Sequence, residues 1–80
     1  MNDTELIARI GQLVDEEHQL EQSHAAGGTS QEVTARLQAI EIALDQCWDL
    51  LRQRRARRDR GDDPNDATIR PATTVEGYQQ

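Results

Sequence analysis

Thr29-Ser-Gln-Glu-Val-Thr-Ala-Arg-Leu-Gln-Ala-Ile-Glu-Ile-Ala-Leu-Asp-Gln-Cys-Trp-Asp-Leu-Leu51 runs directly into Arg52-Gln-Arg-Arg-Ala-Arg-Arg-Asp-Arg60, and this stretch decides the fold. It opens on a capping box: a Thr29 hydroxyl at the N-cap accepts from the Glu32 N–H, while the Glu32 carboxylate reaches back to the Thr29 N–H. Val33, Leu37, Ile40, Leu44, Cys47 and Leu51 then alternate at spacings of four and three, which keeps them on one stripe of a helix. Ala43, Trp48 and Leu50 flank that stripe. Past Leu51 the apolar supply ends and arginines take over. They remain good helix formers, and their charge suits the electronegative C-terminal end of a helix. Gly61 provides a left-handed stop, and Pro64 a second barrier. About 31 residues at 1.5 Å each make a rod of roughly 45 Å, long for so small a chain.

The preceding segment supplies a partner. Asn2 and Glu5 stand at capping-box spacing, and Leu6, Ile10, Leu13 and Leu20 share a seam in which Glu17 fills the remaining slot. Ile7 and Val14 broaden the face, and Glu5 and Arg9 are spaced to pair. Gly11 lies off the seam, where it costs roughly 1 kcal/mol against Ala unless a backbone approaches closely. Ala25-Ala-Gly-Gly28 turns the chain, and so short a link makes the two helices antiparallel. Aligning the seams pairs Leu20 with Val33, Leu13 with Ile40 and Leu6 with Cys47. The first helix then ends near Leu50, and the Arg52–Arg60 block overhangs unless the tail folds back or a second subunit arrives.

Eighty residues allow one domain, near the lower limit for a self-sufficient core. Only 35% of the residues are apolar and none is Phe, so association is the expected remedy. The net charge of −6 argues against general nucleic-acid affinity. A single cysteine excludes an internal disulfide and suits a reducing cytoplasm. No apolar run approaches membrane-spanning length and no secretory leader pattern opens the chain, so a cytoplasmic protein without membrane contact is expected.

From Gly61 the chain is rich in Asp, Pro and Thr and without periodicity, and is expected to form an extended or partly disordered tail over 61–80, mobile or pinned weakly to the bundle. Asp62, Asp63 and Asp66 can lie against the arginines before them, and Ile69, Val75 and Tyr78 are the apolar residues available for docking.

Leu13-Val-Asp-Glu-Glu-His18, Leu44-Asp-Gln-Cys-Trp-Asp-Leu-Leu-Arg-Gln-Arg-Arg55, the Asp63-Pro-Asn-Asp66 turn and the Arg70-Pro71…Val75-Glu-Gly-Tyr78 ending together resemble a family of short actinobacterial proteins classed as domain of unknown function 2630. The resemblance covers nearly the whole chain. It implies an actinobacterial origin and a stand-alone small protein, and assigns no activity and no role to any residue.

Chemistry-bearing residues each meet a plainer explanation. Glu21-Gln-Ser-His24 has the Glu-x-x-His spacing that serves di-iron bundles, and the seam alignment sets Glu32 opposite Glu21. That cluster falls at the solvated turn, and polar residues on a helix end are the better account; no cofactor is expected. Cys47 lacks a neighbouring His or Cys-x-x-Cys to activate it and fits the seam as a small hydrophobe. Trp48 beside the seam reads as a packing anchor whose indole N–H meets Asp45 or a carboxylate of the first helix. Glu17 reads as a rim carboxylate pairing with Arg36, or else as a buried polar group fixing register. No Ser/His/Asp set, phosphate-cradling glycine loop or matched carboxylate pair is apparent, and no enzymatic activity is expected.

The composite expectation is an all-α, coiled-coil-like antiparallel hairpin over 1–60, with helices at about 3–24 and 30–60 and a turn at 25–29. It dimerises into a four-helix bundle through Leu37, Ile40, Leu44, Cys47, Trp48 and Leu51. Arg52, Arg54, Arg55, Arg57 and Arg58 form a partner-binding end suited to carboxylates, such as Asp15, Glu16 and Glu17 of a second copy. The expected role is a non-enzymatic interaction or adaptor protein. The alternative is a nucleic-acid- or ribosome-associated accessory protein using the same arginines, although no aromatic is interleaved for base stacking. A metal-binding bundle is the remote third.

Overall fold

In the computed structural model the described residues are 1–25, 27 and 30–76, the side chains of Thr74 and Glu76 excepted. Helix α1 spans Asp3–Ala25 and helix α2 spans Gln31–Asp59. A 3-10 turn at Pro64–Asp66 and a short helix α3 at Ala72–Glu76 follow. The described residues contain no strand.

Local chemistry fixes the helix ends. At α1 the capping box forms in both directions, with Asn2 Oδ1 accepting from Glu5 N at 2.8 Å and Glu5 Oε1 accepting from Asn2 N at 3.0 Å. Glu5 is thus turned back to the cap rather than forward to Arg9. At α2 the cap is Ser30, extended at φ −124°, whose Oγ accepts from Val33 N at 3.1 Å. This displaces the expected Thr29 cap by one residue: two adjacent hydroxyls compete, and Ser is at least as good a cap as Thr. Thr29 itself lies outside the described residues. The far end of α2 closes on Gly61 at φ 82°. There Gly61 N donates to Arg58 O at 3.0 Å and Asp62 N to Arg57 O at 2.7 Å, which satisfies two carbonyls that the helix leaves open.

The two helices pack antiparallel. Leu6, Leu13, Ile40 and Leu51 are fully buried, and Ile10 and Leu50 nearly so. Leu6 clusters with Leu50 and Leu51, with Cys47 against them. Deeper toward the turn, Arg36 clasps Glu16 with both prongs, Nε to Oε1 at 2.6 Å and Nη2 to Oε2 at 2.9 Å. Residue numbers fall along α1 as they rise along α2, and Cys47 packs against the cluster that holds Leu6, the pairing expected at that end of the seams. Arg36 engages Glu16 and not the expected Glu17, so Glu16 already has a partner within the chain. Among the described residues no close backbone contact explains Gly11, since a side chain there would meet nothing within 4 Å.

The tail takes the pinned alternative. Instead of trailing away, it folds back along α2. Asp63 caps the 3-10 turn, its Oδ1 accepting from Asn65 N at 2.9 Å. Residues 67–71 then retrace α2 in the opposite direction. Gln53 Nε2 donates to Thr68 O at 3.0 Å, and Gln46 Nε2 donates to Arg70 O at 3.2 Å. Helix α3 follows and buries Val75. Of the other apolar docking candidates, Ile69 is exposed and Tyr78 lies outside the described residues. The molecule is elongated, 50 × 26 × 16 Å with a radius of gyration of 14.9 Å, against about 12 Å for a compact chain of this length. Among the described residues no helix is long and apolar enough to cross a membrane.

Candidate functional site

The arginine end is only partly an open surface. Arg54, read from the sequence as partner-facing, is 5% exposed. Its Nε donates to Asp3 Oδ1 at 2.6 Å, and its Nη1 to Pro64 O at 3.2 Å and Asn65 Oδ1 at 3.1 Å. Arg58 Nη2 holds the other Asp3 oxygen at 2.6 Å. One carboxylate on the first turn of α1 thus bridges two cations one turn apart on α2. The Arg58 and Arg54 hydrogen bonds draw the Asp3 carboxyl down to about 2, and the hydrogen bond to Asp3 pushes the Arg58 guanidinium up. The overhang expected of this block is therefore filled at Arg54 by the returning tail and by Asp3. Arg60 meets Asp62 at 3.2 Å. Arg52 and Arg55 remain exposed and Arg57 half-exposed, with no ion pair of their own among the described residues.

Behind α2 sits a charged contact that sequence reasoning missed. Asp49 is 1% exposed. Its Oδ2 accepts from Arg70 Nε at 2.9 Å and from Gln53 Nε2 at 2.9 Å, and its Oδ1 accepts from Arg70 Nη2. The Arg70 hydrogen bonds hold the Asp49 carboxyl below its ordinary value against the opposing effect of burial. Among the described residues no buried side-chain nitrogen or oxygen lacks a partner. The only hint in the sequence is Leu50, which widens the apolar stripe toward a second packing face. Arg70 lies in a segment without periodicity.

Of the expected association residues, Ile40 and Leu51 are closed within the hairpin, while Leu37, Leu44 and Cys47 are half-buried. Burial pushes the Cys47 thiol up, with Arg9 opposing. Trp48, expected to anchor packing, instead leaves 44% of its surface in solvent, and on α1 Ile7 leaves 55%. At about 100° per residue, Ile7 stands about 180° round α1 from Glu16, and Trp48 about 120° round α2 from Arg36. The Glu16–Arg36 clasp marks one flank of the hairpin, so Ile7 and Trp48 lie toward the other. Gln46 and Gln53, which bind the tail, also lie on the far side of α2 from Trp48. Among the described residues the tail covers one flank and leaves the Trp48 flank open.

Glu21, His24 and Glu32 are exposed. Neither they nor any other three or more His, Cys, Asp or Glu side chains among the described residues gather into a ligand group for a metal ion.

The family model described as "Protein of unknown function (DUF2630)" matches residues 2–80. The chain belongs to the DUF2630 family. Among its relatives are uncharacterised proteins of Mycobacterium tuberculosis, in two strains, and of Mycobacterium bovis. Each is 54% identical over 77 residues, covering 95% of this chain and 88% of the relative. No solved structure matches it. For this DUF2630 chain the geometry must carry any functional reading.

Proposed function

We propose that this protein is a non-enzymatic interaction module of the cytoplasm that works as a self-associated pair, with the Trp48 flank of the hairpin as its contact face. The half-exposed indole of Trp48 is the observation that carries this reading. A tryptophan left in solvent beside half-buried Leu37 and Leu44 costs hydrophobic free energy that a covering surface recovers, and aromatic residues are enriched at such contacts. The elongated shape supports the same reading, because a thin two-helix layer closes little apolar surface by itself.

Contact with nucleic acid through the arginines has less support. Arg54 and Arg58 are engaged within the chain, and the remaining cations stand on a chain of net charge −6. Light scattering and sedimentation of the wild type and of Trp48→Glu test the proposal. The expected result is a dimer for the wild type and a folded monomer for the variant. A wild type that stays monomeric at hundreds of micromolar would remove it, and salt-sensitive binding of RNA or duplex DNA by that monomer would favour the alternative.

A further inference from the structure

The exposed face of α2 carries a pattern that is its own complement. Glu41, Trp48 and Arg55 are spaced seven and seven apart and are all exposed. Seven residues bring a helix nearly back to the same azimuth, so the three form one stripe, with Glu41 and Arg55 each about 10.5 Å from Trp48 along the axis. The stripe thus reads acid, aromatic, base. Neither Glu41 nor Arg55 has an ion pair among the described residues. The buried arginine of this helix, Arg54, points elsewhere, to Asp3 and the tail.

A two-fold axis through Trp48 and perpendicular to α2 maps this stripe onto itself with the ends exchanged. In an antiparallel pair of α2 helices about such an axis, Glu41 of each copy comes level with Arg55 of the other. The two Trp48 rings meet at the centre, where an offset stack is the favoured arrangement. The Glu41–Arg55 salt bridge forms twice by symmetry, as an isologous interface demands. A parallel pair would set Glu41 against Glu41 and Arg55 against Arg55, which like-charge repulsion opposes. We infer that the occupant of the Trp48 face is a second copy of this chain, docked with the two α2 helices antiparallel about Trp48, Glu41 of each copy against Arg55 of the other. This rests on the self-association proposed above and specifies its geometry.

Charge exchange tests it. Glu41→Arg and Arg55→Glu, each alone, place like charges at both contacts, and each is expected to weaken association by about tenfold or more. Mixed one to one, the two variants regain opposite charges at both contacts and are expected to form a heterodimer near wild-type affinity. Sedimentation reads the masses. Trp48, the chain's single tryptophan, reports the same event by a blue-shifted emission on mixing, and circular dichroism checks that each variant is folded. A wild-type dimer whose variants associate as well as it does, or whose mixture is no tighter than the separate variants, overturns this arrangement and leaves self-association standing. A wild type that never dimerises overturns both.

Discussion

Arg70 grips Asp49 with two prongs, Nε on one carboxylate oxygen and Nη2 on the other, and so fastens the C-terminal return to the back of α2. Asp49 is almost wholly buried while Arg70 keeps about a third of its side chain in solvent. The pair therefore depends on its partnership more than it adds net stability.

Removing one member makes the point measurable. Arg70→Met leaves a buried carboxylate with only Gln53 as a side-chain partner and should cost about 3 kcal/mol, lowering Tm by roughly 12–24 °C. Asp49→Leu combined with Arg70→Met removes the charge as well and should return to within about 1 kcal/mol of the wild type. Thermal melts followed at 222 nm decide it, and a single variant melting with the wild type would refute the role given to this pair.

Two neighbouring arginines should behave as opposites. Arg54→Ala strips donors from Asp3, Pro64 and Asn65 at a buried site and should cost about 2–3 kcal/mol. Arg55→Ala touches solvent and should change monomer stability by less than about 0.5 kcal/mol. Urea titrations of both proteins, on a Trp48→Glu background to exclude association, give the comparison. Equal midpoints would contradict the structural division of the arginine block.

Acid should loosen the N-terminal tie. The Asp3 carboxyl titrates at about 2 in the fold against an ordinary value of 3.8, drawn down by Arg58 and then Arg54. The unfolded chain thus binds this proton more readily, so the contribution is complete above the ordinary value and lost as pH falls from 3.8 toward 2. Asp49 acts in the same direction. Tm should therefore decline below about pH 4, and Asp3→Asn should flatten that decline while lowering Tm at neutral pH. Parallel slopes for the two proteins would be the contrary outcome.

Gly11→Ala should stabilise. The position is mid-helix in α1, exposed, and a Cβ there meets open space. The gain expected from restricting the unfolded chain and from helix propensity is about 0.5–1 kcal/mol, read as a raised urea midpoint. A loss would mean that this bare surface of α1 is needed elsewhere.

Cys47 should be a sluggish nucleophile. Its thiol is half-buried and desolvation raises its titration point, so alkylation near pH 7.5 should run several-fold slower than for an unstructured cysteine and accelerate in denaturant. Reaction at the free-thiol rate in the native state would show that α2 is open at this point.

How much of this was legible in advance follows from the range of each interaction. The Asn2–Glu5 cap, the Gly61 stop and the stripe from Val33 to Leu51 are written within a few residues of one another, and helix periodicity alone converts them into ends and faces. The antiparallel register followed from two such stripes and a short link. Even the near miss at Ser30 was local, a choice between two adjacent hydroxyls.

Arg54 with Asp3, and Asp49 with Arg70, were beyond that reach. They join residues 51 and 21 positions apart, and nothing in a tail without periodicity says where it docks. Which arginines point inward was decided only when the tail closed on α2, because that docking withdraws Arg54 from water and leaves Arg52 and Arg55 in it. The same closure, by covering one flank, left Trp48 outside. Two helices, their caps and their shared seam could be read off the residues alone, since each is a matter of neighbours and period. Which charges are buried, and that Trp48 is exposed, came from the folded arrangement, since burial depends on what distant chain lies across a side chain.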